Sequence, residues 1–181
     1  MSSNLTHTKD FQVMFAHIQQ ARHKVFTQVN TALIDLYWHI GETISQKVKD
    51  AGWGKGVVSE LARFIAEKDP ALKGFSDKNL WRMKQFYETY QEDEKLATLW
   101  RELSWSHNRM IMTLKNKEER AFYLHLTVNE RLSVRDLERQ IAASAFERTM
   151  LGNKKLSPLL RELHPTISNS FKDSYVLATI H

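Results

Sequence analysis

The stretch Gly74–Tyr90, GFSDKNLWRMKQFYETY, reads as an N-capped amphipathic helix. Ser76 is a preferred N-cap, because its hydroxyl can accept from a backbone N–H that has no partner within the first turn. Asp77 complements the positive end of the helix dipole. The helix therefore begins at about Asp77. At 100° per residue, Leu80, Met83, Phe86, Tyr87 and Tyr90 share one arc, which a core must cover. Lys78, Trp81, Arg82 and Gln85 fall on the other arc. Trp81 has two readings there: it packs against a neighbouring helix, or it touches a nucleic acid beside two cations.

Upstream, Val57–Lys68 shows the same helical spacing with Val58, Leu61, Ala62 and Ile65 inward. Asp69-Pro70 ends it, since the residue before proline is pushed out of the α region, and ALKGF leads on to Ser76. The two helices have the outline of a helix-turn-helix, with a turn longer than the usual three or four residues. Before them, AGWGKG (Ala51–Gly56) supplies a Gly suited to the left-handed position past a helix end. Lys55 adds charge near a helix N-terminus, where a phosphate can sit. Yet GxGxG matches neither the P-loop nor the dinucleotide fingerprint, and no strand precedes it.

Residues 10–50 carry Phe11, Met14, Phe15, Ile18, Ala21, Val25, Val29, Ala32, Leu33, Leu36, Ile40, Ile44 and Val48 at helical spacing. This predicts one helix of about 40 residues, roughly 60 Å long, or two helices broken near His23. Such a length exceeds a compact domain of this size and implies a protruding arm or a dimer contact. Gly41, a poor helix former inside LYWHIGETI, is expected at a close-packing point rather than a break.

Downstream, LATLWREL forms a short core helix through Leu96, Leu99, Trp100 and Leu103. Ser104 or Ser106 caps the next, with Met110, Ile111 and Leu114 inward, and Asn116 caps NKEERAFYLHLTV. A second basic helix starts at Ser133 in LSVRDLERQIAASAFERTM, with Val134, Leu137, Ile141 and Ala145 as its buried stripe. Arg135, Arg139 and Phe146 lie near its opposite side. Residues 151–181, with two Pro and many polar side chains, read as a linker or the start of a further domain, and SYVLATI as strand-like.

Composition narrows the classes of function. The 181 residues hold 26 Lys and Arg against 21 Asp and Glu, a net charge of +5. That is compatible with a phosphate-rich partner and far from a histone-like excess. Cys is absent, which excludes disulfides, thiolate metal sites and a Cys nucleophile. No apolar run approaches the roughly 20 residues of a membrane span, and MSSNLTHTKD has no signal-peptide core, so a soluble, cytoplasmic protein without membrane contact is expected. Few Gly and Pro favour an all-α fold. The histidines show no i, i+4 pair and no HExxH, so neither a metal nor a cofactor is implied. His39 and His107 read as helix-packing side chains, and Ser104, Ser106 and His107 do not resemble a nucleophile elbow. Asp93-Glu94-Lys95 is an isolated D-x-K, read as surface charge.

Taken in order, LYWHIGETI, GWGKGVVSELA, GFSDKNLWRMKQFYETY, LSWSHNRMIM, ERAFYL and LSVRDLERQIAASAFER resemble the N-terminal domain of the YhcG family of bacterial proteins, from about Leu36 to Arg148. The resemblance implies an all-helical domain thought to bind DNA, set before a nuclease domain of the PD-(D/E)xK type. No position here matches that nuclease's carboxylates or Lys, so its residues are not carried over.

The expectation is an all-α fold, a long N-terminal helix or helix pair plus a bundle with helix-turn-helix-like units, in a domain over residues 1–150. Its function would be non-catalytic: binding double-stranded DNA, or RNA, to target a nuclease activity outside this chain. Lys78, Arg82 and Gln85 would enter a groove, while Lys55, Arg135 and Arg139 hold phosphates. The rival reading is an interaction module whose N-terminal helix forms a homodimer or a complex with a toxin- or restriction-like partner.

Overall fold

The structure is a computed structural model that describes residues 2–151, with side chains from 11 to 150. Among the described residues every regular element is helical. In order they are α1 (Ser2–Ala51), α2 (Lys55–Lys68), α3 (Asp77–Tyr90), a 3-10 turn (Glu94–Leu96), α4 (Ala97–Glu102), α5 (Trp105–Ile111), α6 (Lys117–Asn129), α7 (Val134–Ala142) and α8 (Ala145–Leu151). The all-α fold with a long N-terminal helix is thus the one observed. The chain divides into two compact units, Met1–Arg131 and Leu132–His181.

In the first unit, α1 is one continuous helix of 50 residues, about 75 Å long at 1.5 Å per residue. Of the two expectations for this segment, the single helix holds; the helix runs without interruption through His23. It ends as expected at Gly52, whose φ of 65° lets Trp53 N–H turn back to Lys47 O at 3.2 Å. Only its later half is packed. Ile34, Tyr37, Ile44 and Ser45 are buried, whereas every described residue from Phe11 to Val29 is exposed.

Helix α3 lies across that packed half and also meets α2 and α5. Ser76 caps it by accepting from Asn79 N–H at 3.4 Å. Leu80, Met83 and Phe86 are 0% exposed, which is the arc expected from the periodicity. Gly41 of α1 sits against the α3 backbone: a Cβ built there would lie 2.1 Å from Met83 O. The two helices approach this closely because one of them presents no side chain.

Around the crossing, aromatic rings fill the core. Trp38 of α1 stacks on Trp100 of α4 with centroids 4.9 Å apart, and Phe86 meets Trp100 edge-on at 5.1 Å. Polar side chains tie the short helices to this frame. Asn108 Nδ2 donates to Trp100 O at 2.9 Å. Asn30 Nδ2 reaches Leu103 O at 3.1 Å, and Arg101 Nε donates to Asp35 Oδ1 at 2.7 Å. The two Asn side chains satisfy carbonyls near the end of α4 that would otherwise lose their water partners on folding, and the half-exposed Asp35–Arg101 pair adds a tie between α1 and α4.

A second tie joins α1 to α3. Ser45 Oγ donates to Glu88 Oε1 at 2.8 Å, and Lys84 Nζ donates to Glu88 Oε2 at 2.7 Å. Partial burial pushes the Glu88 carboxyl up, but hydrogen bonds from Lys84 and Ser45 outweigh it and hold the group below its ordinary value of 4.5. A depressed carboxylate stabilises the fold above its unfolded pKa, and this contribution is lost as pH falls through the folded one. Glu88→Gln should therefore lower the thermal midpoint at neutral pH by the equivalent of up to about 1 kcal/mol. The gap from wild type should close in melts recorded below pH 4.

Several expectations change. The second basic helix is not continuous: Ala143 N–H closes on Arg139 O, Ser144 turns left-handed with φ 50°, and α8 starts anew at Ala145. Ala145 is buried as expected, but from α8 rather than as part of the α7 stripe, and Phe146 does not share the opposite face of α7. The choice between Ser104 and Ser106 falls to Ser104, which accepts from His107 N–H. Its Oγ also lies 2.8 Å from His107 Nδ1, so His107 serves a cap. His39 is not a packing histidine; its side chain is 72% exposed, 3.6 Å from Glu42. Asp93 is more than surface charge: half-buried, it pairs with Lys117 Nζ at 2.7 Å and anchors the start of α6. Met112, absent from the inward set, is buried, while Met110 and Leu114 are only half-buried. Gly152, SYVLATI and the expected linker lie outside the described residues.

Candidate nucleic-acid interface

The cationic positions on α3 are set by its core arc. With Leu80, Met83 and Phe86 buried, Lys78 and Gln85 are exposed and Arg82 half-exposed on the opposite side. Spacings of four and three residues bring these three onto one face. Lys84, the remaining cation of the helix, is committed to Glu88. Lys78 and Arg82 enter no ion pair among the described residues. Trp81, the position with two readings, is half-buried, and Lys84 Nζ sits 5.7 Å from its ring centroid. The ring is partly covered, with Lys84 of its own helix over it, which favours packing.

Lys55 is the first residue of α2 and exposed. One turn on, Ser59 Oγ donates to Asp77 Oδ2 at 3.4 Å. Asp77 opens α3, so the early part of α2 meets the start of α3, with Lys55 one turn before that contact. The connection Asp69–Ser76 is held by its own bonds: Ala71 N–H to Asp69 Oδ1 at 3.0 Å and Lys73 Nζ to Pro70 O at 2.9 Å.

In the second unit, Arg135 and Arg139 are both exposed on α7. Ser133 caps the helix, accepting from Asp136 N–H at 3.1 Å. Arg139 is salt-bridged to Asp136. The hydrogen bond from Ser133, then that from Arg139, holds the Asp136 carboxyl below the usual range. Arg135 is thus the less encumbered cation of the pair. The structure places Lys55, Lys78, Arg82 and Gln85 in one unit, and Arg135 and Arg139 in the other.

A cleft of about 450 Å³ opens elsewhere on the first unit, lined by Trp38, Glu42, Tyr87, Asp93, Trp100 and Arg101 among others. Sequence reading missed it, because its walls come from α1, α3, α4 and the turn between the last two. Its carboxylates, with Glu94 beside them, would repel a phosphate. Among the described residues no three His, Asp or Glu side chains gather closely enough to hold a metal ion. No described helix is long and apolar enough to cross a membrane.

A family model described as the DUF1016 N-terminal domain matches residues 13–148, most of the chain. The chain belongs to the DUF1016 N-terminal domain family. That span takes in the packed half of α1, the α2–α3 pair and α7, so every candidate cation lies within the DUF1016 N-terminal domain. The chain is also similar to a protein of Escherichia coli (strain K12) named "Putative nuclease YhcG", being 26% identical over 197 aligned residues. The match covers 88% of this chain and 52% of that protein, so the chain spans about half the length of the curated relative it matches. This is the family whose motif series is legible between Leu36 and Arg148. No solved structure matches the chain.

Proposed function

We propose that this DUF1016 N-terminal domain is a non-catalytic module that binds duplex DNA and targets a nuclease activity lying outside this chain. The observation that carries the reading is the solvent face of α3. Two cations without ion-pair partners and a Gln stand on it, on a helix whose other face is locked into an aromatic core. A rigid element carrying Arg, Lys and Gln at helical spacing is suited to a major groove, where Arg or Lys reads guanine and Gln reads adenine. Lys55, one turn before the contact of α2 with the start of α3, would hold a phosphate, as would Arg135 and Arg139 from α7. The α2–α3 pair then acts as a helix-turn-helix-like unit with an extended turn. The link to nuclease chemistry comes from the name of the curated relative.

Fluorescence anisotropy with labelled duplex DNA across a salt series tests this. The wild-type chain should bind at low salt and weaken steeply as salt rises, because released counterions drive the association. Lys78→Ala, Arg82→Ala should cost on the order of tenfold or more in affinity and flatten the salt dependence, with helix content unchanged. Equal affinity in wild type and double variant would remove α3 from the interface, and no binding at low salt would remove the DNA reading. Tighter binding to duplex RNA would reassign the ligand.

A second reading, an interaction role for α1, is favoured by one observation: Phe11, Phe15, Ile18, Val25, Phe26 and Val29 are each 55–67% exposed along one helix.

A further inference from the structure

Helix α1 carries two apolar faces, and the first unit covers only one of them. The covered face is Asn30, Ile34, Tyr37, Gly41 and Ile44. The other contains Phe11, Phe15, Ile18, Val25 and Val29, and continues through Leu33 and Leu36, which are 37% and 45% exposed. At 100° per residue the two faces stand about 100° apart round the helix. The second stripe is therefore not the overhang of a core-facing one. It runs beside the bundle as well as beyond it, so a partner can lie along both parts of the helix. At roughly 100 Å² for each large, half-exposed apolar side chain, the eight residues Phe11 to Leu36 (with Phe26) present about 800 Å² per chain. Monomer surfaces rarely leave so large an apolar patch uncovered.

We infer that the occupant of this stripe is a second copy of the chain, with the two α1 helices antiparallel about a two-fold axis between Val25 and Phe26. The inference rests on the reading of α1 as an interaction arm and is independent of DNA binding. The stripe matches itself when reversed. Placing Val25 against the partner's Phe26 brings Ile18 opposite Leu33, Phe15 opposite Leu36 and Phe11 opposite Ile40. In an isologous interface each such pair occurs twice, so one register buries the whole stripe on both copies. The area then reaches about 1,600 Å² in total, the standard size of a specific interface.

Charge is consistent with the same register. Residues 11–34 contain no Asp or Glu, and Arg22 is the cation within the stripe. In a parallel pair, or an antiparallel one centred on residue 22, the two Arg22 side chains would face each other. Here Arg22 meets the partner's Val29 and stands about 10 Å along the axis from its own copy, a Debye length at ordinary ionic strength. Its long stem can cover the valine while the guanidinium stays in water.

Light scattering on the full chain should give twice the 21.2 kDa chain mass at about 100 μM, since interfaces of this size have Kd values from micromolar downward. Phe15→Glu, Ile18→Glu lies in the exposed arm, leaves the bundle core untouched, and should weaken the dimer at least tenfold with the thermal midpoint of the bundle retained. The chain has no Cys, so single cysteines report the register cleanly. Phe15→Cys mixed with Leu36→Cys should oxidise to a covalent dimer. Neither variant should do so alone, because two Phe15 positions lie on the order of 30 Å apart in this register. A monomer at this concentration overturns the second copy as occupant. A dimer that ignores Phe15→Glu, Ile18→Glu overturns the arm reading itself. Cross-linking of Phe15→Cys with itself overturns the antiparallel arrangement.

Discussion

Gly41→Ala should destabilise the first unit by about 3 kcal/mol, a fall of roughly 6–12 °C in thermal midpoint for a chain of this size. Alanine is the better helix former, so the helix alone would gain up to about 1 kcal/mol. Packing decides the opposite sign. The new methyl would lie 2.1 Å from Met83 O and 2.6 Å from Met83 C, and those are backbone atoms of a buried turn of α3. A side chain could rotate away; a carbonyl inside a helix cannot. The two helices must separate, and the ring contacts of Trp38 with Phe86 and Tyr87 span the same gap. Calorimetry or a circular-dichroism melt reads the effect. A midpoint at or above wild type would mean that α1 and α3 do not cross at Gly41.

Trp100→Ala should cost more, about 3–5 kcal/mol, the usual range for deleting a buried large aromatic. Trp100 is 1% exposed, stacks on Trp38 within 14° of parallel, meets Phe86 edge-on and carries Arg101 over its ring at 4.5 Å. Its helix α4 has only six residues, too few to persist without tertiary packing. Loss of the ring should therefore loosen α4 and with it the Asp35–Arg101 pair and the Asn30 bonds to the carbonyls of Arg101 and Leu103. Trp100→Phe, which keeps a ring in place, should recover most of the loss. Denaturant melts of the two variants beside wild type measure both. A loss under about 1 kcal/mol in Trp100→Ala would place the core elsewhere.

Both effects arise at the frame that holds α3, and this joins stability to the proposed function. Lys78, Arg82 and Gln85 are useful as a recognition face only if α3 keeps its rotation about its own axis. The buried Leu80, Met83 and Phe86 set that rotation, and the Gly41 crossing and the Trp38–Trp100 stack hold it. A variant of the frame should lose DNA affinity together with its melting transition. A variant of the face should lose affinity alone.

Periodicity and end signals determined most of the helix plan, because they are local. The arc of α3 and the caps at Ser76, Asn116 and Ser133 needed only neighbours within one turn, as did the helix stop at Gly52. The ordered motif blocks likewise carried the family, which residues 13–148 match. What lies between distant residues was not legible. The α7–α8 break depends on a left-handed Ser144, a conformation no residue type there announces. Asp93 looked like surface charge until folding placed Lys117 beside it. Apolar residues of α1 all read as one population, although only those facing α3 and α4 are buried. A sequence states which side chains avoid water; only the tertiary structure decides which are covered by their own chain, since that depends on where the short helices end. Lys78 and Arg82 show the same division: sequence placed them on the outer arc, and the fold left them without a carboxylate while giving Glu88 to Lys84.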